Sequence, residues 1–322
     1  METTYHSYNK RSGGVLQMII SIPLYNLVAV QLFFVILGLT FLNFSTSWTN
    51  VITALVTASV ADILLARFVK KKPGLSFPAS AIAGALGIAI FFRATSPWYF
   101  ALATFLAIFS KYLFPTQSGH VFNPSNFGIV VVSFLFPVTT SIELTQWGSN
   151  PFVYTALSAI ALIVAYRAGV LRATFSFLGT YTILLILMTS SVPDTFSAYH
   201  LGLLSPSLIL FASFMITDPK SSPQGPRLMS IHGVTVAFLY FALNAIGVTY
   251  ALFVSTFVLA ILNAMSKLLI RTISADSMSL FNTVTAGVVF LFSFAVFGIA
   301  SYGGAGFSSI NVFLHFLFFG IG

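Results

Sequence analysis

The chain has 322 residues, of which 57% are hydrophobic and 6% are charged, and its mean hydropathy is +0.97. Soluble domains carry about 25% charged residues, so no soluble core could hide this much apolar surface, and the composition predicts a protein whose solvent is lipid. The absence of cysteine excludes disulfides, thiolate metal sites and cysteine-ligated iron–sulfur clusters. The net charge of +8 does not indicate nucleic acid, because the basic residues are scattered at the predicted helix ends.

The predicted elements are hydrophobic segments separated by turn or charge signals. In chain order they fall at 20–44, 49–66, 77–92, 97–114, 125–138, 151–166, 174–191, 201–216, 231–247, 249–270, 278–300 and 307–321. A bilayer crossing needs about 20 residues, so several segments are short, and the last one either spans or lies along the interface. We expect an all-α integral membrane protein with about ten transmembrane helices. The alternation that a β-barrel would show is absent.

Lysine and arginine predict the orientation of these segments. If residues 1–19 are cytoplasmic, every basic residue except Arg93 lies on the cytoplasmic side. The same arrangement places the polar runs at 119–126 and 217–227 on that side. No cleavable signal peptide is expected, because the first hydrophobic segment is too long and lacks a small-residue cleavage site.

Two pairs of segments suggest an internal repeat. Residues 76–97 resemble 203–223, since each stretch has Ser and Pro near a helix start and a Thr/Ser/Pro turn at its end. Residues 122–134 loosely match 243–253. The predicted orientation puts the members of each pair on opposite sides of the membrane, which is the pattern of an inverted repeat with a site between its halves.

The stretch "GHVFNPSNFG" is a polar run that leads directly into a hydrophobic helix. Asn123 and Asn126 are of the N-cap type, and Pro124 suits the first position of a helix. The plain interpretation is a well-capped helix. A functional one adds that a helix start aimed into the membrane attracts a phosphate, a carboxylate or a flavin carbonyl, with His120 as a further donor or as a headgroup contact.

The stretch "FMITDPKSSPQGPR" ends one helix at Thr217, Asp218 and Pro219, and its later prolines and glycine keep it from being helical. It is either an ordinary cytoplasmic turn or part of a site. Asp218 is one of only six acidic residues, and it precedes Lys220 by two positions. A carboxylate at this boundary could cap the next helix or coordinate a cation.

Asp62 lies well inside the second hydrophobic segment, about one turn before Arg67. It either forms a local ion pair with that arginine or provides a cation or proton site that faces the bundle interior. Elsewhere there is no nucleophile motif, phosphate loop, dinucleotide fingerprint or pair of catalytic carboxylates. The chain therefore shows no self-contained catalytic machinery.

The order of these parts resembles the NqrB/RnfD family, whose members are membrane subunits of the sodium-pumping NADH:quinone reductase and of the Rnf electron-transport complex. The family stretches read like "FNPA" and "ATDP", and here the matching residues are Phe122, Asn123 and Pro124, and Thr217, Asp218 and Pro219. The resemblance covers roughly residues 20–270. It implies an inverted five-plus-five repeat, similar to urea and ammonium transporters, in a bacterial cytoplasmic (inner) membrane.

The resemblance also implies a flavin-carrying subunit that works beside other subunits and is, in some members, coupled to sodium movement. Members that pump carry FMN through a Thr in an outer-loop motif like D-G-x-[ST]-x-A-T. The corresponding loop, 139–150, has no such motif, and "SADSMS" at 274–279 lacks the threonine and lies on the wrong side. We therefore expect no covalent FMN. Residues 271–322 are additional to the family pattern.

The sequence is compatible with three functions. The first is a membrane electron-transfer subunit that binds a flavin or quinone noncovalently. Its cytoplasmic rim would comprise His120, Phe122, Asn123, Pro124, Asn126, Thr217, Asp218, Lys220 and Ser222, and Trp98, Tyr99 and Phe122 are candidate stacking residues. The second is a transporter or channel for a small solute or cation, with Asp62 as a cation ligand. The third is a membrane anchor. The ordered motifs favour the first, with membrane lipid and other subunits as partners.

Overall fold

The computed structural model describes residues 23–69, 78–116, 119–144, 146–147, 150–189 and 206–270. These contain ten α-helices, which run as α1 (Pro23–Phe41), α2 (Trp48–Phe68), α3 (Ala79–Phe91), α4 (Pro97–Leu113), α5 (Pro124–Leu135), α6 (Pro151–Arg167), α7 (Leu171–Thr189), α8 (Pro206–Leu210), α9 (Pro226–Ala245) and α10 (Ala251–Ile270). Each hydrophobic segment predicted up to residue 270 overlaps one of them, so the mostly helical fold is confirmed. The predicted segments at 1–19, 278–300 and 307–321 lie outside the described residues.

Three helices begin in the same way, with a polar N-cap residue followed by proline. The side chains of the caps accept hydrogen bonds from first-turn backbone N–H groups: Ser96 from Trp98, Asn123 from Asn126, and Asn150 from Phe152. Proline fits the next position because its fixed φ suits a helix and its missing N–H would have no partner there. The starts of α4, α5 and α6 are thus set by local sequence.

Two short strands follow two of the shorter helices, and the sequence did not predict them. Strand β1 (Phe92–Ala94) follows α3, and strand β2 (Thr140–Ile142) lies after α5. They pair antiparallel with Arg93 opposite Ser141, and Arg93 also forms an ion pair with Glu143 at 3.7 Å. Helix α3 has 13 residues and α5 has 12, so the paired strands tie together the ends of two helices too short to cross a bilayer alone.

Helix α8 is continued by a π-helical turn, Phe211–Met215. The Ile216 N–H donates to the Phe211 carbonyl oxygen at 3.2 Å, across five residues instead of four. A π turn widens the helix and leaves carbonyl groups misaligned with the usual ladder. The carbonyls of Phe214 and Met215 are in this position, and both are used by a side chain from another helix, as described below.

Three of the packing contacts within the first five helices recur within the second five. Helix α1 packs on α3, α2 on α4 and α4 on α5; likewise α6 packs on α8, α7 on α9 and α9 on α10. Contacts between the two sets include those of α1 with α6 and of α5 with α10. The core between the sets is aromatic, with Phe253 against Phe91 and Phe211 at ring-centroid distances of 5.3 and 5.0 Å.

Three stretches of helix among the described residues are long and apolar enough to cross a membrane, namely Leu24–Phe41, Trp48–Phe68 and Pro226–Asn244. Several shorter apolar helices accompany them. Large apolar side chains also lie on the surface, among them Val138, Phe152 and Phe41, which are 93%, 80% and 75% exposed. The surface of the described bundle is therefore rich in apolar groups.

Candidate functional site

The two polar motifs singled out in the sequence lie against each other. Asn123 caps α5, and its side-chain amide donates to the carbonyl oxygens of Phe214 and Met215 at 3.3 and 3.1 Å. One side chain thus joins the start of α5 to the π-helical turn 91 residues further along the chain. We call the residues 119–126 and 213–222 the junction cluster.

A backbone contact brings the loops of the cluster together as well. The His120 N–H donates to the Lys220 carbonyl oxygen at 3.2 Å. Gly119 permits this approach, because a Cβ atom there would collide with the same carbonyl oxygen. The exposed Lys220 therefore contributes its backbone to the cluster.

His120 is buried, and its Nδ1 lies 2.6 Å from the Phe122 carbonyl oxygen. A carbonyl only accepts, so this contact places the proton of the neutral ring on Nδ1. The same nitrogen lies 3.8 Å from the Asp218 carboxylate. Burial lowers the pKa of His120 below its ordinary value of 6.5; the Asp218 charge opposes this, and the Lys111 and Lys220 charges add to it. Burial is the largest effect, so the ring is neutral at pH 7.

Asp218 organises its own turn. One carboxylate oxygen accepts from the Lys220 N–H at 3.3 Å, and the other accepts from the Ser221 hydroxyl at 2.8 Å. The next helix, α9, begins after Gly225 with no side-chain cap. Of the two roles predicted for Asp218, capping of the next helix is therefore wrong, because the carboxylate is used within the turn that it begins.

The remaining polar residues of this motif face their own helix end. The Thr217 hydroxyl donates to the Ser213 carbonyl oxygen, and the Ser222 hydroxyl donates to the Ile216 carbonyl oxygen. These bonds satisfy carbonyls that the end of α8 and its π turn leaves without helical partners. Thr217 and Ser222 thus hold the shape of the cluster.

Asn126 connects the cluster to α10. Its side-chain amide donates to the Phe253 carbonyl oxygen at 3.1 Å and to the Thr256 hydroxyl at 2.7 Å. Phe122 stacks on Phe257 at 5.2 Å, so the contacts run in opposite order along the two segments. The first turns of α5 and α10 therefore pass each other antiparallel.

Two buried atoms in the junction cluster have no hydrogen-bond partner within the described part of the chain. They are Oδ1 of Asn126, which is 2% exposed, and the hydroxyl of Ser213, which is 4% exposed. Buried polar atoms are nearly always paired, and exceptions mark places for water or a ligand. Asn126 Oδ1 is an acceptor and the Ser213 hydroxyl is a donor or acceptor, and each has a hydrogen bond left to make.

The proposed stacking aromatics do not come together. Phe122 is already packed against Phe114, Phe127 and Phe257, with ring-centroid distances of 5.3, 5.0 and 5.2 Å. Trp98 and Tyr99 lie at the start of α4, whose other end leads into the cluster. At 1.5 Å per residue, this separates them from it by about 20 Å.

Asp62 has partners that the sequence interpretation missed. Its Oδ1 accepts from the Lys111 ammonium and from the Tyr112 hydroxyl, each at 3.0 Å. The side chains of Asp62 and Lys111 are only 18% and 11% exposed. The predicted pair with Arg67 on the same helix is not found. Asp62 pairs instead with Lys111, which joins α2 to α4. Lys111 already supplies the cation, and within the described residues no three His, Asp or Glu side chains gather to hold a metal ion.

The structure brings most of the predicted site residues into one neighbourhood: His120, Phe122, Asn123, Pro124, Asn126, Thr217, Asp218, Lys220 and Ser222. Asp62 is outside the junction cluster, in an ion pair with Lys111, whose charge also acts on His120. Sequence reasoning missed Ser125, whose hydroxyl donates to the Gly84 carbonyl oxygen, and Thr256. Ser125 could have been noticed as a polar residue between two capping-type asparagines. Thr256 gave no local signal, because it is a single threonine within an apolar segment.

No known protein family matches the chain, and no curated protein matches it either.

Proposed function

We propose that this protein is a multi-pass membrane subunit of an electron-transport system, with its N-terminus cytoplasmic, and that it holds a flavin or quinone noncovalently at the junction cluster. The observation that carries the proposal is the contact between the two motifs through Asn123, beside the unpartnered Asn126 Oδ1 and Ser213 hydroxyl. The resemblance of these motifs to the NqrB/RnfD family suggests the redox role.

The apolar surface and the long apolar helices support the membrane location. The contacts also agree with the predicted orientation. The junction cluster and the Asp62–Lys111 pair join residues expected on the cytoplasmic side, and the Arg93–Glu143 pair joins residues expected on the other. The three packing contacts that recur in α1–α5 and α6–α10 support an inverted five-plus-five repeat.

The residues present fit a flavin or quinone in part. Asn126 Oδ1 provides an acceptor for a ring N–H or hydroquinone O–H, and the Ser213 hydroxyl provides a donor for a ring carbonyl. The fit is poorer for stacking, since Phe122 is packed against Phe257 and other phenylalanines. A bound flavin or quinone would supply the electron-transfer chemistry that the side chains of this chain lack.

The test is an absorption spectrum of the protein purified in mild detergent, before and after acid precipitation. We expect bands of oxidised flavin that move to the supernatant, which would show a noncovalent cofactor. Bands that stay with the pellet would contradict noncovalent binding. A colourless protein whose lipid extract contains no quinone would reject the proposal.

A matched pair of variants locates the site. Ser213 and Ser133 both have a buried hydroxyl without a partner in the described structure, but Ser133 lies near the other end of α5. We expect Ser213→Ala to lower the cofactor recovered per protein several-fold and Ser133→Ala to leave it unchanged. Equal occupancy in both variants would place the cofactor elsewhere.

A transporter of a small solute or cation on the same scaffold is the alternative. The observation that favours it is the meeting of the α5 and α10 starts around Asn126 and Thr256, because interrupted helices that meet inside a bundle are typical of transport sites. Flux into liposomes by protein without flavin or quinone would select this alternative.

A further inference from the structure

A cavity lies beside the start of α10, and no residue of the junction cluster lines it. Its volume is about 360 Å³, within the range of about 300–1,000 Å³ that is usual for small-molecule sites. Tyr181 from α7, Ser207 from α8 and Tyr240 from α9 form its sides. We call it the tyrosine cavity.

The lining of the tyrosine cavity selects against charged ligands. None of the described residues that line it is acidic or basic. A buried charge without a partner is costly, so a ligand with a carboxylate, phosphate or ammonium inside this space would be unfavourable. These residues therefore favour a ligand that is neutral where it contacts them.

The polar groups that do line the cavity include donors suited to a carbonyl oxygen. Helix α10 begins at Ala251. The backbone N–H groups of Ala251 and Leu252 therefore have no carbonyl of the same helix to which they can donate. The amide of Asn244 stands at the exposed side. These groups favour a ligand that carries carbonyl acceptors.

The walls of the cavity favour a flat ring. Tyr181 and Tyr240 are packed against each other at a ring-centroid distance of 5.5 Å, and Tyr250 lies at the turn before α10. Aromatic faces bind planar rings by offset or edge contacts. Apolar side chains such as Leu208 and Val248 complete the lining and would contact a short alkyl tail.

From this lining we propose that the tyrosine cavity binds the headgroup of a quinone, a neutral planar ring with two carbonyl oxygens. The predicted orientation places it on the side of the membrane opposite the junction cluster. The two sites share Phe253, which lines the cavity and whose carbonyl oxygen accepts from Asn126. The inference concerns binding alone, so it stands whether or not a flavin occupies the junction cluster.

Trp147 gives a direct readout of the cavity. Its ring N–H donates to the Ser207 hydroxyl at 2.7 Å, and it is 1% exposed. The other tryptophans, Trp48 and Trp98, are exposed and can be replaced by Phe, which leaves Trp147 as the single tryptophan, excited selectively at the red edge of indole absorption. Quinones quench indole fluorescence at short range, so occupancy of the cavity is seen as quenching.

The experiment titrates this single-tryptophan protein, in detergent, with menadione. We expect saturable quenching in the parent. Leu208→Phe and Val248→Phe fill the cavity and should each raise the apparent Kd at least tenfold. Leu135→Phe, an exposed position outside the cavity, should leave it unchanged. The emission maximum without menadione reports whether each variant is folded.

Linear quenching without saturation in the parent would overturn the proposal, since it indicates collision within the micelle. Saturable quenching that survives both cavity-filling variants would also overturn it. If the buried Leu208 position does not tolerate Phe, the partly exposed Val248 position decides the outcome.

Discussion

Asn126 and Phe253 are each the third residue of a helix, and the amide of Asn126 donates to the carbonyl oxygen of Phe253 at 3.1 Å. Two helix starts from opposite halves of the described chain are thus joined by one side chain. In the sequence Asn126 resembles a capping residue. The structure gives the capping role to Asn123, which leaves Asn126 for the contact between halves.

Replacing Asn123 by Ala should cost more than the loss of an ordinary helix cap. The variant loses the cap of α5 and also the donor that serves the Phe214 and Met215 carbonyls. We expect a loss of about 2–3 kcal/mol in the free energy of unfolding, measured by denaturant titration in detergent. Asn150→Ala, which removes only the exposed cap of α6, should cost about 1 kcal/mol. Equal losses would show that the contact to the π turn adds nothing.

Removing one partner of the Asp62–Lys111 pair should leave a mostly buried charge. We expect Lys111→Met to destabilise the protein by about 3 kcal/mol, because the Asp62 carboxylate keeps only the Tyr112 hydroxyl of its two side-chain donors. The double variant Asp62→Asn, Lys111→Met should recover most of that loss in the same unfolding assay.

The exposed pair of Arg93 and Glu143 is the matched control for that experiment. Its atoms are 3.7 Å apart and the Arg93 side chain is 56% exposed. Arg93→Met should cost less than about 1 kcal/mol, since solvent screens such pairs. A similar loss in Arg93→Met and Lys111→Met would contradict the importance of burial.

His120 should make stability depend on pH in the weakly acidic range. Because burial lowers its pKa below 6.5, the unfolded chain takes up a proton below pH 6.5 that the folded chain does not. The contribution of the neutral His120 ring to stability is therefore complete above pH 6.5. It is lost as the pH falls through 6.5 towards the lower pKa of the folded state. The thermal midpoint of unfolding should decrease when the pH is lowered from 7.5 to 5.5. The decrease should be smaller in His120→Asn.

The comparison of these two curves isolates His120 from the other four of the five histidines. The facing charges are Asp218, Lys111 and Lys220, and only the first favours the protonated ring. Parallel curves for the parent and His120→Asn would show that the ring does not resist protonation. A steeper decrease of the thermal midpoint in His120→Asn would mean that folding raises the pKa of His120 and does not lower it.

Gly128 should tolerate no side chain. A Cβ atom at this position would collide with the Ala103 carbonyl oxygen on α4, so Gly128→Ala must push α4 and α5 apart. We expect a loss of at least about 2 kcal/mol, typical of overpacking. Gly179, in α7, has nothing within 4 Å of a Cβ atom, and Gly179→Ala should be neutral or stabilising by up to about 1 kcal/mol. Similar thermal midpoints for the two variants would contradict the close approach of α4 and α5.

The sequence predicted the helices well because hydrophobic runs and Asn-Pro or Ser-Pro starts are local signals. It also predicted that the motifs around Asn123 and Asp218 share one site, and the two motifs are in contact. Their location on the cytoplasmic side, inferred from the charges at helix ends, stays a prediction. It could not show that Asp62 pairs with Lys111, 49 residues away, instead of with nearby Arg67. Pairings of this kind depend on how helices pack, and no local pattern encodes them.

The same limit applies to the junction cluster and to the strands. The flanking turns were visible in the sequence. The π turn at Phe211–Met215, whose carbonyls accept from Asn123, was not, because apolar residues give no sign of a missed helical bond. Strands β1 and β2 have three residues each, too short for a recognisable alternation. The flavin or quinone, the partner subunits and the inverted repeat stay predictions.

The amide of Asn123 has a consequence for the order of events during synthesis. Its carbonyl acceptors, Phe214 and Met215, are made 91 and 92 residues later, and the Phe253 acceptor of Asn126 is made 127 residues after Asn126. When α5 leaves the ribosome, neither amide can reach these acceptors. The first five helices therefore complete their polar contacts only when α8 and α10 arrive, so the two halves mature together.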